Sequence, residues 1–392
     1  MEVTPDPPVA KAAAPRGSGL GEAPLVAVVL PPGEGFGPGR AGAVALIVRR
    51  LVGVLPALVI GGPQYGPVFD DAPFRAARPV RWWPGGANAR YAVAVARLLR
   101  PLHPALIEVH NRIEVARTLA RRFPATPVSL FLHNDPQGMR RARSARGRAA
   151  LLASLARVVT VSEFLRARLI EGVPAGEWPV PKVLPNAIDL AALPPLRAER
   201  DQLILFAGRV VADKGADSFV AACGRALPAL PGWRAEMIGA DRSRPDSPDT
   251  PFVRDVRRGA EAAGVRMLGY RDHPGVLDAM SRAAIVVVPS RWQEPFGLTA
   301  LEAMACGATL IVAPRGGLPE VAGDAALYAD PDDPAALGDA IVRVARDAAL
   351  RANFAEAGRA RARRFGLEQA AARLAALRRE LVEGSIGTRG PE

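Results

Sequence analysis

A short apolar run, a turn and a helix between Ile285 and Val321 constrain the fold more than any other part of the sequence. Residues Ile285 to Val288 are all β-branched, and the run is too short for a helix. It therefore predicts a strand buried on both faces of a parallel sheet. A turn rich in Gly and Pro follows, and the residues from Leu298 onward are strong helix formers with apolar side chains at helical spacing. This order leaves the first backbone N–H groups of the helix free to bind an anion.

Two carboxylates flank this predicted anion site. Glu294 lies in the turn, and Glu302 lies about one turn into the helix, roughly 6 Å further along its axis. Because carboxylates repel phosphate, they are better suited to accept hydrogen bonds from neutral hydroxyls beside it. A molecule with hydroxyls on both sides of a diphosphate is a nucleotide sugar. The spacing therefore favours a nucleotide-sugar site over a surface turn with two solvated glutamates.

The segment EPFGLTALEAMACG, followed by GGLPEV, resembles the paired-glutamate motif of retaining glycosyltransferases of family 4, the glycosyl transferases group 1. The resemblance implies that Glu294 contacts the donor sugar and that Glu302 contacts the nucleotide ribose. It covers the chain from about Leu25 to Leu381. It also implies the GT-B architecture, in which two Rossmann-like domains face each other across a cleft.

A second motif, GR-x4-KG, follows the predicted strand from Leu203 to Phe206 and resembles the phosphate-binding pair of the same family. Arg209 offers a planar guanidinium and Lys214 a point charge, which together can neutralise a diphosphate leaving group. Tyr270 follows another predicted strand, where similar enzymes hold the nucleobase. The resemblance implies that the donor is bound by Arg209, Lys214, Tyr270, Glu294, Phe296, Gly297, Leu298, Thr299 and Glu302.

The N-terminal half opens with a predicted strand from Leu25 to Leu30 and a loop with glycines at alternating positions, among them Gly35 and Gly37. The loop resembles the N-terminal Gly-rich loop of the family, which faces donor and acceptor, although other residues separate its glycines. A helix from about Ala41 is predicted to offer a second free N-terminus. The alternative is an ordinary connection between strand and helix.

Two histidines follow predicted strands of this half. His110 comes after Val109, and His133 comes after Leu132 and is followed by Asn134. Ligands of open α/β sheets bind at the carboxyl ends of the strands. The resemblance places a substrate-contacting histidine at His133, which joins Arg209, Lys214 and Glu294 as an implied catalytic residue. Gly35, Gly37, His110 and Asn134 are the residues expected on the acceptor side.

No metal site or cofactor is predicted. Asp330, Asp332 and Asp333 precede the predicted helix from Ala335, where acidic residues complement the helix dipole, so they are interpreted as a cap and not as metal ligands. His103 and His273 lie beside prolines and are interpreted as loop residues without a function. A nucleotide-diphosphate sugar is expected as co-substrate.

The length of 392 residues predicts two domains, and the strands and helices alternate in two sets. The predicted fold class is therefore α/β, with two doubly wound Rossmann-like domains facing a central cleft. The predicted organisation is a disordered tail (1–22), an acceptor-binding domain (23–195), a nucleotide-sugar-binding domain (196–365), a C-terminal helix returning to the first domain (366–384) and a short tail (385–392).

The net charge of +12 suggests anionic partners, but aromatic residues make up only 5% of the chain and lysine occurs only three times, so no nucleic-acid partner is expected. Cys223 and Cys306 are predicted to be buried thiols. No signal peptide or membrane span is evident, which predicts a cytoplasmic protein. The Arg-rich stretch from Arg140 to Leu169 is either a solvated surface or a peripheral contact with the anionic inner face of a membrane.

The expected function is metal-independent, retaining transfer of a sugar from a nucleotide-diphosphate donor to a glycan, lipid-linked or small-molecule acceptor, as in polysaccharide biosynthesis. Two enzymes of the same architecture, a sugar-nucleotide epimerase and a phosphorylase, fit the motifs less well. A non-catalytic module that binds nucleotides or polyanions is the alternative from another class. The sequence does not identify the sugar, the base, the acceptor or the oligomeric state.

Overall fold

The computed structural model describes residues 24–79, 83–242, 244 and 246–386, with side chains as far as 384. The predicted N-terminal tail lies outside these residues. Of the predicted C-terminal tail, only residues 385 and 386 are described, and they end the last helix.

The first half of the chain forms a seven-stranded parallel sheet within the described residues. Its strand order is β3-β2-β1-β4-β5-β6-β7, so the order reverses between β1 and β4. The strands are β1 (Val26–Val29), β2 (Leu58–Gly61), β3 (Phe74–Ala76), β4 (Leu106–His110), β5 (Val128–Leu132), β6 (Arg157–Thr160) and β7 (Lys182–Val183). The helices are α1 (Ala43–Val54), α2 (Ala87–Leu99), α3 (Ile113–Arg122), α4 (Ala145–Leu152) and α5 (Glu163–Ile170).

The second half forms a six-stranded parallel sheet within the described residues, in the order β10-β9-β8-β11-β12-β13. The strands are β8 (Asp201–Ala207), β9 (Arg234–Ile238), β10 (Val265–Gly269), β11 (Ala283–Val288), β12 (Thr309–Val312) and β13 (Leu327–Tyr328). The helices are α6 (Ala216–Ala226), α7 (Pro251–Ala263), α8 (His273–Arg282), α9 (Leu298–Ala305), α10 (Leu318–Ala322), α11 (Pro334–Arg346) and α12 (Ala348–Ala362). The two doubly wound sheets confirm the predicted fold class.

The central strand β11 is buried along its whole length, as its β-branched sequence predicts. It pairs in parallel with β8 on one side and β12 on the other, at the point where the strand order reverses. Ligands of such sheets bind in the crevice beyond the carboxyl ends of the strands at this point. The turn after β11 therefore lies where a ligand site is expected.

The last helix, α13 (Leu367–Ile386), returns to the first half of the chain. Leu374, Leu377 and Leu381 pack in one apolar cluster with residues of α1 and β1. Arg378 on the same helix forms a bidentate ion pair with Glu108 of β4. Apolar burial and a buried ion pair together hold α13 on the first domain.

Side-chain caps begin several helices where the sequence predicts them. Ser162 caps α5 by accepting a hydrogen bond from Leu165 N at 3.1 Å. Asp333 caps α11 by accepting from the backbone N–H groups of Ala335 and Ala336, each at 3.0 Å. The acidic cluster therefore contains a helix cap, as predicted. His273 was predicted to lie in a loop, and this was wrong, because it is the first residue of α8.

The Arg-rich stretch differs from the basic helix with a leucine face that its sequence suggests. Helix α4 has only eight residues, and its Leu151 and Leu152 are buried in the core of the first domain. Arg148 is buried as well and donates to the carbonyl oxygens of Leu169 and Ala142 at 2.9 and 3.1 Å. The stretch thus presents arginines but no apolar face. Within the described part of the chain, we find no helix with the length and apolar character to cross a membrane.

Candidate functional site

The N-terminus of α9 is open, as the sequence predicts. Its N-cap residue is Gly297, with φ of +112°, and no side chain caps the helix. A Cβ at this position would come within 2.5 Å of Leu318 Cδ2, and such a φ strains any residue other than glycine. The first turn of the helix carries no acidic residue. Its first N–H groups and the helix dipole can therefore act on a bound anion.

Glu294, before this helix, is buried and held through one carboxylate oxygen. Its Oε1 atom accepts from Lys214 Nζ at 2.5 Å and from Ser290 Oγ at 2.7 Å. Its Oε2 atom has no hydrogen-bond partner among the residues that the structure describes. One oxygen is thus fixed by the protein, and the other is left for a ligand.

A cavity of about 360 Å³ brings together predicted residues from both halves of the chain. His133 and Asn134 line it from the first domain, and Lys214 and Glu294 line it from the second. Phe296, Gly297, Leu298 and Thr299 complete this wall, which we call the Glu294 cavity.

Glu302, within α9, is also held through one carboxylate oxygen. Its Oε1 atom accepts from His273 Nε2 at 2.8 Å and lies 3.9 Å from Arg50 Nη2 of the first domain. Its Oε2 atom has no hydrogen-bond partner within the described parts of the chain. A second cavity, of about 320 Å³, contains Glu302, His273, Arg50 and the predicted Tyr270, and we call it the Glu302 cavity.

Arg209 lies where the two cavities meet. It lines both of them, as do Leu298 and Thr299. In contrast to Lys214, the Arg209 guanidinium has no hydrogen bond or ion pair with any residue that the structure describes. A cation without a carboxylate partner, beside the N-terminus of α9, is a strong site for an anionic group. The arrangement is suited to a diphosphate between two sets of hydroxyls.

The N-terminal loop differs from the prediction. Gly35 and Gly37 line neither cavity, because the loop packs against its own chain: a Cβ at Gly37 would lie 2.0 Å from Pro67 O. At the N-terminus of α1, Glu34 Oε1 accepts a hydrogen bond from Ala45 N at 3.2 Å, while Ala43 lines both cavities. Burial raises the pKa of this carboxyl group.

His110 also lies outside both cavities, buried behind His133. The distance from His110 Nδ1 to His133 Nε2 is 2.9 Å, which joins the two rings by a hydrogen bond. Burial lowers the pKa of His133 to about 4. Burial, together with the neighbouring His133 and Arg378, holds the pKa of His110 well below its usual range. Both rings are therefore neutral at pH 7.

Three residues of the site are missing from the sequence-based prediction. His273 and Arg50 contact Glu302, and Ser290 contacts Glu294. Asp272 caps α8, so Asp-His-Pro was a usable signal for a helix start and for a histidine at its first turn. Nothing in the sequence indicates that Arg50 reaches Glu302 from the other domain.

The described residues contain no group of three or more His, Cys, Asp or Glu side chains placed to hold a metal ion. Arg209 is the charged residue that lines both cavities, and Lys214 lines the Glu294 cavity. What this arrangement provides is a set of cations and N–H donors between two half-satisfied carboxylates.

The two domains that the structure describes have the fold of GT-B glycosyltransferases. The chain superposes on sucrose-phosphate synthase from Thermosynechococcus elongatus with a TM-score of 0.74 and 22% identity, covering 91% of this chain and 99% of that one. The corresponding values for Anabaena HepE, solved in complex with UDP and glucose, are 0.71 and 19%, with 90% and 99% covered. At these identities the similarity establishes the fold, as predicted.

The sequence comparisons establish the family. Residues 44–192 match Glycosyltransferase Family 4, and residues 194–361 match Glycosyl transferases group 1. The chain belongs to these glycosyltransferase families, which confirms the resemblance seen in its motifs. A putative glycosyltransferase from Bacillus subtilis, YtcC, is 29% identical over 256 residues, which are 59% of this chain and 60% of that protein. The alignment thus spans less than two thirds of that relative.

Proposed function

We propose that the chain transfers a sugar from a nucleoside diphosphate sugar to an acceptor hydroxyl, with retention of the anomeric configuration. The observation that carries this proposal is the position of Arg209. It is a cation with no partner among the described residues, and it lies between two cavities that each contain a carboxylate with one unengaged oxygen. A diphosphate flanked by two polyhydroxy groups matches this pattern of charges and acceptors.

In this proposal the diphosphate binds to Arg209 and to the N–H groups at the start of α9. The sugar occupies the Glu294 cavity, where Glu294 Oε2 accepts from its hydroxyls. The nucleoside occupies the Glu302 cavity, where Glu302 Oε2 accepts from the ribose and Tyr270 lies near the base. The presence of UDP and glucose in the HepE complex supports this type of donor.

During transfer, the bond between the anomeric carbon and the diphosphate oxygen breaks, and negative charge grows on that oxygen. Arg209, Lys214 and the α9 N-terminus are placed to stabilise this charge. The acceptor hydroxyl forms the new bond to the anomeric carbon, and its proton passes to the departing diphosphate oxygen. We propose that this set of cations and amides makes the reaction independent of a metal ion, since it neutralises the leaving group as a metal would.

We place the acceptor on the first domain, beside His133 and the exposed Asn134. We propose a glycan, a lipid-linked glycan or a small molecule as the acceptor. Exposed Arg140, Arg141 and Arg143 support an electrostatic contact with an anionic membrane, since no apolar face accompanies them. Co-sedimentation with phosphatidylglycerol vesicles at low salt tests this contact, and its absence would remove it from the proposal.

The catalytic proposal is tested by a panel of UDP-, GDP- and ADP-sugars, with release of the nucleoside diphosphate as the readout. Lys214→Ala is expected to lower turnover by about 100-fold or more, because it removes a charge that stabilises the transition state. Lys182→Ala is the matched control, since this lysine is exposed and lines neither cavity. Unaltered turnover in a folded Lys214→Ala variant would contradict the mechanism.

The same panel separates the alternatives. A non-catalytic nucleotide-binding module would be stabilised by a nucleotide sugar in thermal unfolding but would release no nucleoside diphosphate. A sugar-nucleotide epimerase would convert the sugar and leave the donor bond intact, which nucleotide analysis by chromatography detects. Release of the diphosphate that depends on an added acceptor is the result expected for a transferase.

A further inference from the structure

His133 has one ring nitrogen that its protein surroundings leave unsatisfied. Its side chain is 8% exposed, and its Nδ1 atom is buried without a hydrogen-bond partner among the described residues. A buried polar atom without a partner costs about 1–3 kcal/mol. Because His133 lines the Glu294 cavity, a ligand hydroxyl there can supply the missing partner.

The other ring nitrogen of His133 is engaged by His110. The Nδ1 atom of His110 lies 2.9 Å from His133 Nε2. The His110 ring also stacks on Phe131, with centroids 4.8 Å apart, and lies edge to edge with His133, with centroids 5.1 Å apart and an angle of 22° between the ring planes. His110 is 4% exposed and does not line the cavity, so it acts on a ligand only through His133.

The backbone beneath His133 is fixed by Asn111. This residue has φ of +53°, a conformation that asparagine tolerates better than most residues. Its Oδ1 atom accepts from His133 N at 2.8 Å, and its own N–H donates to Phe131 O at 2.8 Å. The ends of β4 and β5 are therefore tied together at the position from which the His133 ring extends.

We propose that His110 is a positioning residue, which fixes the orientation and tautomer of His133 so that His133 Nδ1 binds a neutral hydroxyl of the donor sugar. The hydrogen bond between the rings holds one proton. If the proton is on His110 Nδ1, the neutral His133 carries its own proton on Nδ1, and this atom donates to the ligand. If the proton is on His133 Nε2, His133 Nδ1 is unprotonated and accepts from the ligand. A hydroxyl can complement either state. The identity of the hydroxyl rests on the proposed function, whereas the pairing of the two rings does not.

The pairing is tested by ¹⁵N NMR of the imidazole groups in the ligand-free protein. The chain has only four histidines, so the spectrum can be assigned by single substitutions. We expect a scalar coupling between His110 Nδ1 and His133 Nε2 across the hydrogen bond, and a single tautomer of His133. In His110→Leu, His133 is expected to become a mixture of tautomers. In His110→Asn it should remain a single tautomer, because the asparagine amide reaches the position of Nδ1. No coupling, or an unchanged His133 signal in His110→Leu, would overturn the proposal.

The consequence for binding is tested with UDP-glucose by isothermal titration calorimetry. His110→Leu is expected to raise the dissociation constant about tenfold, as expected for one misplaced hydrogen bond, and His110→Asn should restore most of the affinity. In a His133→Ala background, His110→Leu should have no further effect, since it acts only through His133. His103→Asn is the control, because His103 is exposed. An equal loss in the His133→Ala background would refute a positioning role.

Failure of this proposal differs from failure of the proposed function. If the wild-type protein binds no UDP-glucose, the donor assignment is in error, and the NMR experiment still decides whether His110 controls the tautomer of His133. If UDP-glucose binds and the double-substitution experiment shows independent effects, the donor assignment stands and the role of His110 is refuted.

Discussion

Replacing Arg378 by methionine is expected to destabilise the first domain strongly. Arg378 Nε and Nη2 donate to Glu108 Oε1 and Oε2 at 3.0 and 2.8 Å, and the two side chains are only 10% and 3% exposed. The substitution keeps most of the apolar stem of the side chain but leaves the Glu108 carboxylate in the core without its partner. The helix α13 also loses one of its polar attachments to the sheet, while the ion pair of Glu380 with Arg157 of β6 remains.

The expected cost is about 3–5 kcal/mol, the usual result of removing one partner of a buried ion pair. This loss of stability is larger than the net contribution of the ion pair, because most of it comes from the Glu108 charge that remains buried without a partner. The double variant Glu108→Met with Arg378→Met removes both charges and is expected to recover most of the loss. Arg379→Met is the matched control, because Arg379 is the exposed neighbour on the same helix, and surface changes cost within about 0.5 kcal/mol.

The assay is urea unfolding followed in parallel by tryptophan fluorescence and circular dichroism. Two probes are needed because a chain of two domains need not unfold in one step. The transition of the first domain should move to lower urea in Arg378→Met and stay in place in Arg379→Met. If both variants unfold at the same urea concentration, or if the double variant is less stable than Arg378→Met alone, the reasoning about a buried charge is refuted.

Three further predictions concern the site. Arg209→Ala should keep the free energy of unfolding within about 0.5 kcal/mol of the wild-type value, since Arg209 has no partner among the described residues. It should abolish the increase in the unfolding temperature that UDP produces. An increase that remained in the variant would contradict the role of Arg209 in binding. Glu302→Gln should weaken UDP binding about tenfold in calorimetry, because the charge-assisted hydrogen bonds to the ribose hydroxyls are lost. Binding of 2′,3′-dideoxy-UDP should be unchanged, since it lacks these hydroxyls. An equal loss of affinity for the two nucleotides would argue against a contact between Glu302 and the ribose. Burial lowers the pKa of His133 to about 4 in the folded protein, whereas an unfolded histidine has a pKa of about 6.5. As the pH falls from 6.5 to 4, the unfolded chain therefore takes up a proton that the folded chain does not. The free energy of unfolding should fall over this range by up to about 1.4 kcal/mol per pH unit. Urea unfolding across this range should show a smaller slope for His133→Asn, and an unchanged slope would count against a buried neutral ring.

The parts of the fold that the sequence predicts are those with a strong local pattern. The strands predicted at Leu25 to Leu30 and at Leu203 to Phe206 correspond to β1 and β8, and the β-branched run of β11 identifies the central strand. The short edge strands β3, β7 and β13 were not predicted, because two or three residues carry no pattern of their own and pair only once a neighbour is present. The helix α12 was missed for a similar reason, since its alanines and arginines show little apolar periodicity.

The site divides in the same way. Residues within one motif, such as Glu294 and Glu302, can be found because the turn and helix that place them are continuous in sequence. His273 and Arg50 contact Glu302 from distant positions, one of them in the other domain, so local patterns give no sign of the contact. The glycines of the N-terminal loop were assigned to a ligand, whereas Gly37 is required by close contact with Pro67 O. A glycine in a sequence indicates close contact with the backbone, but it does not identify whether a ligand or another part of the chain makes that contact.

The most direct test of the account is a crystal structure of the protein with UDP or another nucleoside diphosphate bound. The account predicts the diphosphate against the Arg209 guanidinium and the N–H groups that begin α9, with the ribose hydroxyls within hydrogen-bond distance of Glu302 Oε2. A nucleotide bound outside the two cavities, or one with its diphosphate away from Arg209, would contradict the central claim.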